Sequence, residues 1–318
     1  SLLLSTQIAA KDKRKIKRPG LMDALVEKLK SSQFAAELLT RCNFPSPGSK
    51  INCAVSGGND SMAMLLLAVL NGCEVTAFHV DHSLRQGSDQ ESEIVAQLAG
   101  QLGASFVSKT IKVEPGANLE ARARDARFAV LPETVATGHT ADDQAETVMI
   151  NLLRGAGLQG LAGMRHNHSH PILNLRRSET ELLCRELKIK CVVDPTNTDL
   201  KFLRNQVRQK LLPLMKEVSQ RDVAQILARQ ADLFRNDSDF LDDLAKQIDP
   251  TDAKALSVAP IALARRAIRV WLTETYPPDA ATVERVLDVA RGATTACEIG
   301  MNREVRRSNQ RLQINSKQ

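Results

Sequence analysis

The sequence predicts an α/β protein, with a parallel sheet domain followed by a smaller, mainly helical C-terminal domain. Three observations carry that prediction. Short apolar runs alternate with helix-like segments between residues 51 and 154, the pattern of a parallel sheet covered by helical crossovers. A glycine pair, Gly57 and Gly58, stands at the first strand-to-helix junction, where a Cβ would hinder the turn. Beyond Glu217 the alternation gives way to longer helix-like segments. A chain of 318 residues, 43% of them hydrophobic, has enough apolar surface for two domains.

Residues 1–45 read as a basic tail and an N-terminal helix. Within 22–41, Leu25 and Leu29, then Phe34 and Leu38, recur one helical turn apart. Pro45, Pro47 and Gly48 break the chain ahead of the first strand. Residues 46–216 form the sheet domain, with strands expected at 51–55, 74–80, 105–110 and 134–137 and helices at 61–71, 89–102, 119–131 and 141–154. In such a sheet ligands bind beyond the carboxyl ends of the strands. The glycine elbow, residues 79–85 and residues 138–143 should therefore share one crevice. A glycine-rich connection and a loop with His166, His168 and His170 lead to a helix over 202–215, with Leu203, Val207, Leu211 and Leu214 on one side. Residues 217–318 read as helices at 218–248, 260–275 and 281–291, then short strands within 297–314.

The formal charge is +6, which favours a polyanionic partner. Seven aspartates crowd residues 232–252, so the positive excess gathers in 11–18, 201–216, 265–269 and 303–311. Aromatic residues make up 3% of the chain, too few for a single-strand binder built on stacking platforms. RNA would be held through phosphates and shape. The six cysteines form no CxxC, which argues against a zinc ribbon or a disulfide scaffold. The longest apolar run, 62–70, is well short of the roughly 18 to 20 residues of a membrane span. The leucines at 2–4 precede the basic stretch, the reverse of a secretory signal. A cytoplasmic protein without a membrane partner is expected.

The most informative stretch runs from Ala54 to Ser61, Ala-Val-Ser-Gly-Gly-Asn-Asp-Ser. A strand, a glycine turn and a helix follow one another here, so backbone N–H groups and the hydroxyls of Ser56 and Ser61 would point at one spot at a helix N-terminus. That is a phosphate cradle. It is neither a GxxxxGK[ST] loop nor a GxGxxG fingerprint. Asp60 instead puts a carboxylate beside the phosphates, which calls for a divalent cation between them. A glycine turn merely capped by Ser and Asp is the plainer alternative; the order of strand, turn and helix favours the cradle.

Two further motifs fall at strand ends. The run His79-Val80-Asp81-His82-Ser83-Leu84-Arg85 is weak as a metal site and reads better as strand-end packing with nucleotide contacts. In Thr137-Gly138-His139-Thr140-Ala141-Asp142-Asp143-Gln144-Ala145-Glu146-Thr147, Thr140 and Asp143 have capping-box spacing, while Asp142 and Glu146 lie one turn apart. Three acids beside a phosphate site are costly unless they hold Mg²⁺ or a cationic substrate, and one carboxylate can both cap and function. Arg122, Arg124 and Arg127 read as solvated surface. Arg204 and Arg208, one helical turn apart, either grip phosphates together or form an exposed basic face.

The SGGNDS run matches the PP-loop of the N-type ATP pyrophosphatases. Together with HVDHSLR, NLEARARDARF, ATGHTADDQAETV, LLRGAGLQGLAGM, PILNLRRSET and DPTNTDLKFLRNQVRQKLLP, it resembles the tRNA(Ile)-lysidine synthetase family in order and spacing over residues 50–216. Phe128 stands where the family often has Tyr, and His170 where Arg is frequent. The resemblance implies ATP-dependent adenylation of the C2 oxygen of the wobble cytidine in a CAU anticodon, followed by displacement of AMP by the ε-amine of free L-lysine. It carries over Ser56, Gly57, Gly58, Asn59, Asp60 and Ser61 as the ATP loop, with Asp60 as the Mg²⁺ contact and a catalytic residue. His139, Asp142 and Asp143 carry over as the motif near the reacting centre. Lysine arrives as an ammonium ion and must lose a proton before it attacks, a task for which Asp142 and Asp143 are candidates. Residues 217–318, with Arg204 and Arg208, are expected to contact the tRNA(Ile). A homodimer is one expectation for the assembly. A thiolating relative would show a CxxC pair, an amidating one a glutamine-hydrolysing domain, and a module that binds RNA without catalysis would transfer no lysine.

Overall fold

β1 (Lys50–Ala54), β2 (Glu74–Asp81), β3 (Ser105–Thr110) and β4 (Val135–Thr137) form one sheet in the order β3-β2-β1-β4, every pair parallel. This is a computed structural model, and it describes residues 21–81, 88–111, 119–192 and 199–316. The basic stretch at 11–18 and residues His82 to Arg85 lie outside the described residues. Two compact units divide between Ala231 and Asp232.

In the first unit the chain steps from β1 through β2 to β3, then returns to place β4 on the other side of β1. Such a reversal is where open sheets bind ligands. Ala54 pairs with Thr137, so the segments after β1 and β4 leave neighbouring strands at the same level. The helices of this unit begin with α1 (Leu21–Ser31), α2 (Gln33–Leu39), α3 (Asn59–Leu70), α4 (Ser88–Gln101), α5 (Leu119–Val130) and α6 (Ala141–Leu153). They continue with α7 (Leu158–Leu161) and α8 (Arg177–Glu186).

α3 is apolar all round, and every residue from Met62 to Ala68 is buried, as expected of a core helix rather than a surface one. It packs on β1, β2, α1, α2 and α8. Each of its Leu and Met side chains contributes about 1.5–3 kcal/mol through burial. The glycine elbow thus opens onto a deeply anchored helix.

The single helix expected over 202–215 is instead three pieces: α9 (Leu203–Gln206), a π-helical turn (Val207–Leu211) and α10 (Leu212–Ser219). Pro213 sits in the first turn of α10. It has no N–H to continue an α-helical ladder, and a wider turn before it accommodates the loss. The π turn also breaks the expected apolar side. Val207 is buried, but Leu203 and Leu214 are exposed. Val207 joins Ala145, Val148 and Met149 of α6 and Val223, Leu227 and Ala231 in a second core cluster. The last three lie on α11 (Val223–Ala245), within which the two units divide.

The second unit holds α12 (Ala253–Val258), α13 (Ile261–Leu272), α14 (Ala280–Arg291) and an antiparallel sheet of β5 (Ala296–Gly300), β6 (Arg303–Ser308) and β7 (Arg311–Ser316). Leu256, Ile268, Val286, Leu287, Val305 and Leu312 form its core. α14 starts on Asp279, which accepts the Thr282 N–H, and ends on Gly292 at φ +81°, a conformation suited to a residue without a side chain. The expected helices and terminal strands are all present, and α12 is a helix the apolar spacing does not reveal. Among the described residues no helix is long and apolar enough to cross a membrane.

Candidate active site

The elbow after β1 is held from three sides. Val55 donates its N–H to the Phe78 carbonyl at 2.8 Å, and its own carbonyl accepts Nδ1 of buried His79 at 2.8 Å. His79 therefore packs the strand end. Gly57 adopts φ +92°, and a Cβ there would lie 2.7 Å from Cγ2 of Val192, whose N–H donates to the Gly57 carbonyl at 2.9 Å. Ser61, 7% exposed, turns back into the loop: its hydroxyl donates to Gly58 O at 2.9 Å and accepts the Ser56 N–H at 3.2 Å. Ser56 Oγ lies 3.2 Å from Ser61 Oγ. The two hydroxyls meet, as expected, but Ser61 staples the turn. Gly58 is the N-cap of α3 and supplies no side-chain bond, so the first N–H groups of the helix, at Asn59, Asp60 and Ser61, can meet an anion.

Gly138 carries the second loop against the first. A Cβ on Gly138 would lie 2.9 Å from C and O of Asp60 and from Cα of Ser61, so the two backbones touch. Two residues on, α6 begins. Thr140 donates both its N–H and its hydroxyl to Oδ2 of Asp143 at 2.9 Å, one half of a capping box. The other oxygen of Asp143 faces Arg177 Nη2 at 3.1 Å and the Nη2 atoms of Arg204 and Arg208 at 3.5 Å. One carboxylate thus caps its helix and joins the cluster.

Glu146, 1% exposed, lies at the centre of that cluster. It accepts Arg208 Nε at 2.6 Å, Arg204 Nε at 2.8 Å and Arg177 Nη1 at 3.4 Å. Arg204 and Arg208 are turned toward Glu146 and Asp143 and stay half-buried, an ion-paired cluster and not an open basic face. The partners of Glu146 are those of Asp143, three residues away. Asp142 faces elsewhere: Arg176 bonds it through Nη2 at 2.9 Å and Nε at 3.1 Å, and the Arg177 N–H at 2.8 Å. Arg176 also pairs with Asp222. Asp60 accepts the Thr180 hydroxyl and faces Arg177 Nε at 3.5 Å, so Arg177 bridges Asp60, Asp143 and Glu146.

Burial pushes the Asp60 carboxyl up, to about 6, and the negative charge of Asp143 adds to this against the opposing pull of Thr180 and Arg177. Burial also works against ionised Asp142, but the bonds from Arg176 and the Arg177 N–H outweigh it and hold the carboxyl below its ordinary value. Asp143 behaves likewise, with Arg177, Arg204 and the Thr140 N–H overcoming its burial. A carboxylate held low keeps its charge and is a weak base. Among the described residues no group of three or more His, Cys, Asp or Glu is arranged to hold a metal. Asp60 alone, a hard oxygen donor in the first turn of α3, fits a cation such as Mg²⁺ that takes one or two carboxylates and completes its shell with phosphates and water.

His139 stands beside Thr137 and His170, with Nδ1 2.8 Å from the Thr137 hydroxyl. The residues that sequence reasoning missed are Arg176, Arg177, Thr180 and His170. A signal for the arginines existed. Two cations opening a helix oppose its dipole unless carboxylates elsewhere hold them, and α8 starts on this pair.

A glycine elbow on a parallel strand, capped by no side chain and followed by an acid, is the arrangement of the PP-loop class. Residues 29–215 match the PP-loop domain family, and residues 252–313 match the TilS substrate binding domain. The tRNA(Ile)-lysidine synthase of Rhodococcus erythropolis is 38% identical over 244 residues, covering 72% of this chain and 75% of that protein. The synthase of Nocardia farcinica is 37% identical over 249 residues, 73% and 78% of the two chains. That of Mycobacterium bovis is 38% identical over 262 residues, 76% and 79%. The chain belongs to the tRNA(Ile)-lysidine synthase family.

Proposed function

We propose that this protein is an ATP-dependent ligase that joins L-lysine to C2 of the wobble cytidine in a tRNA(Ile) with a CAU anticodon, giving lysidine, AMP and pyrophosphate. The reading rests above all on the juxtaposition, through Gly138, of the uncapped glycine elbow and the carboxylate-bearing start of α6. One half suits an anion and the other a cation, and the reaction needs both.

In the first step the cytidine C2 oxygen attacks the α-phosphorus of ATP and pyrophosphate leaves. The N–H groups opening α3 stabilise the departing charge, while the staple from Ser61 keeps the loop from refolding around it. Mg²⁺ held by Asp60 supplies further charge neutralisation when bound. Arg177 has to share or release Asp60 as the nucleotide enters, and a guanidinium freed from a carboxylate is well shaped for phosphate. In the second step Asp142 and Asp143 attract the lysine ammonium, their negative charge preserved by the surrounding arginines. The tRNA is held by residues 217–318 and by whatever share of the Arg204 and Arg208 charge the carboxylates leave. The protein works in the cytoplasm, where its tRNA and ATP are found.

Radiolabelled lysine and a CAU-anticodon tRNA(Ile) transcript test the proposal, with AMP counted in parallel. Label should enter this tRNA at one lysine per AMP and should not enter methionine tRNA. AMP release without lysine incorporation, or equal labelling of both tRNAs, would refute it.

A further inference from the structure

At the end of β4 the Thr137 hydroxyl meets two imidazoles. Nδ1 of His139 lies 2.8 Å away and Nδ1 of His170 2.9 Å away. The two Nδ1 atoms are 3.3 Å apart, and the rings meet edge-on with centroids 5.1 Å apart. A hydroxyl has one proton to give. The Ser169 carbonyl, 3.1 Å from Thr137 Oγ1, can only accept it. The same carbonyl accepts the Thr137 N–H at 2.9 Å, which fixes it against the strand. The arrangement in which Thr137 bonds both rings and the carbonyl at once puts its proton on Ser169 and has each ring donate through Nδ1–H, with the two Nδ1 atoms then in contact and not bonded to each other. In a neutral imidazole the lone pair is then on Nε2.

We propose that His170 is a positioning residue for lysidine formation: together with Thr137 it holds His139 as the Nδ1–H tautomer, so that Nε2 of His139 is left as the proton acceptor. The inference rests on the ligation proposed above. The N–H of His170 fills one lone pair of the Thr137 oxygen and polarises its proton toward Ser169, while the His170 ring keeps the His139 ring from turning. The role answers a need of the reaction. Asp142 and Asp143 are paired with arginines, so they hold an ammonium better than they deprotonate it. The ε-ammonium gives a proton to Nε2 of His139; the freed amine lone pair bonds to C2, the C2–O bond breaks with its electron pair leaving on AMP, and the nitrogen now bonded to C2 gives its second proton to the departing AMP phosphate.

Two variants and one spectrum test this. In single-turnover assays of the parent enzyme, His170→Leu should slow lysine transfer at least about tenfold, with the adenylation rate and the lysine KM little changed. His170→Asn, whose amide N–H replaces Nδ1–H, should recover most of the loss. A His170→Leu enzyme that transfers lysine at the parent rate, or a His170→Asn enzyme as slow as His170→Leu, would overturn the proposal. Long-range proton–nitrogen spectra of the parent labelled with [¹⁵N]histidine read the tautomer without any variant that must fold. A protonated Nδ1 with a bare Nε2 on His139 supports the proposal, and a protonated Nε2 overturns it. A parent that forms no lysidine refutes the ligation itself and the catalytic part of the inference with it, a result distinct from the wrong tautomer.

Discussion

Two helices start at neighbouring strand ends in this protein and are finished in opposite ways. α3 begins on Gly58, without a capping side chain. α6 begins on Thr140, with Asp143 folded back onto the Thr140 N–H and hydroxyl. The first leaves its N–H groups for an anion from outside. The second satisfies one of its own and uses the helix dipole to keep acids charged. The difference teaches that one structural device, a helix N-terminus at a sheet switch point, can be set toward phosphate or toward an amine by the residue types of its first turn. Gly138 is what lets both settings share one crevice.

The sharpest way to break this pairing is Gly138→Ala. The new Cβ would meet the backbone of Asp60 and Ser61 at 2.9 Å, and backbone cannot rotate away as a side chain can. The two loops should separate, at a cost of about 1–3 kcal/mol in stability and about a hundredfold in overall lysidine formation. Chemical denaturation and the labelled-lysine assay measure the two effects.

Asp60→Asn probes the boundary between the halves. The Asp60 carboxyl is raised to about 6, so the fold favours its protonated form. The stability this gives is fully present below about pH 4, the unfolded value, and is lost as pH rises through 6. At pH 8 the ionised group is therefore a burden, which Asn removes. After allowance for partial exposure, the variant should be more stable than the parent by about 2 kcal/mol at pH 8, with the gain gone by pH 4. Melting curves across that range check the sign. A constant difference would mean that Asp60 does not titrate as described.

The sheet, the elbow and the acidic turn were legible in the sequence because each depends on local pattern: strand-length apolar runs, a glycine pair and residues three or four apart. The departures have non-local causes. The turn at 207–211 depends on Pro213, whose effect on the preceding turn an apolar count does not register. The sequence leaves Arg204 and Arg208 between a phosphate grip and an exposed basic face because Glu146 lies 58 and 62 residues away. Arg177 and Thr180 reach Asp60 across more than a hundred residues, and His170 reaches His139 across 31. A single sequence shows the charges in such a cluster but not which ones meet.

The division of labour between α3 and α6 is tested most directly by following both half-reactions in one Asp143→Asn enzyme, with tRNA adenylation and lysine transfer timed separately in single turnover. With the α3 elbow intact, adenylation should stay within about threefold of the parent, while transfer falls about tenfold for loss of one hydrogen-bonded charge. Equal losses in both steps, or an unchanged transfer rate, would contradict the assignment of the two helix starts to two different substrates.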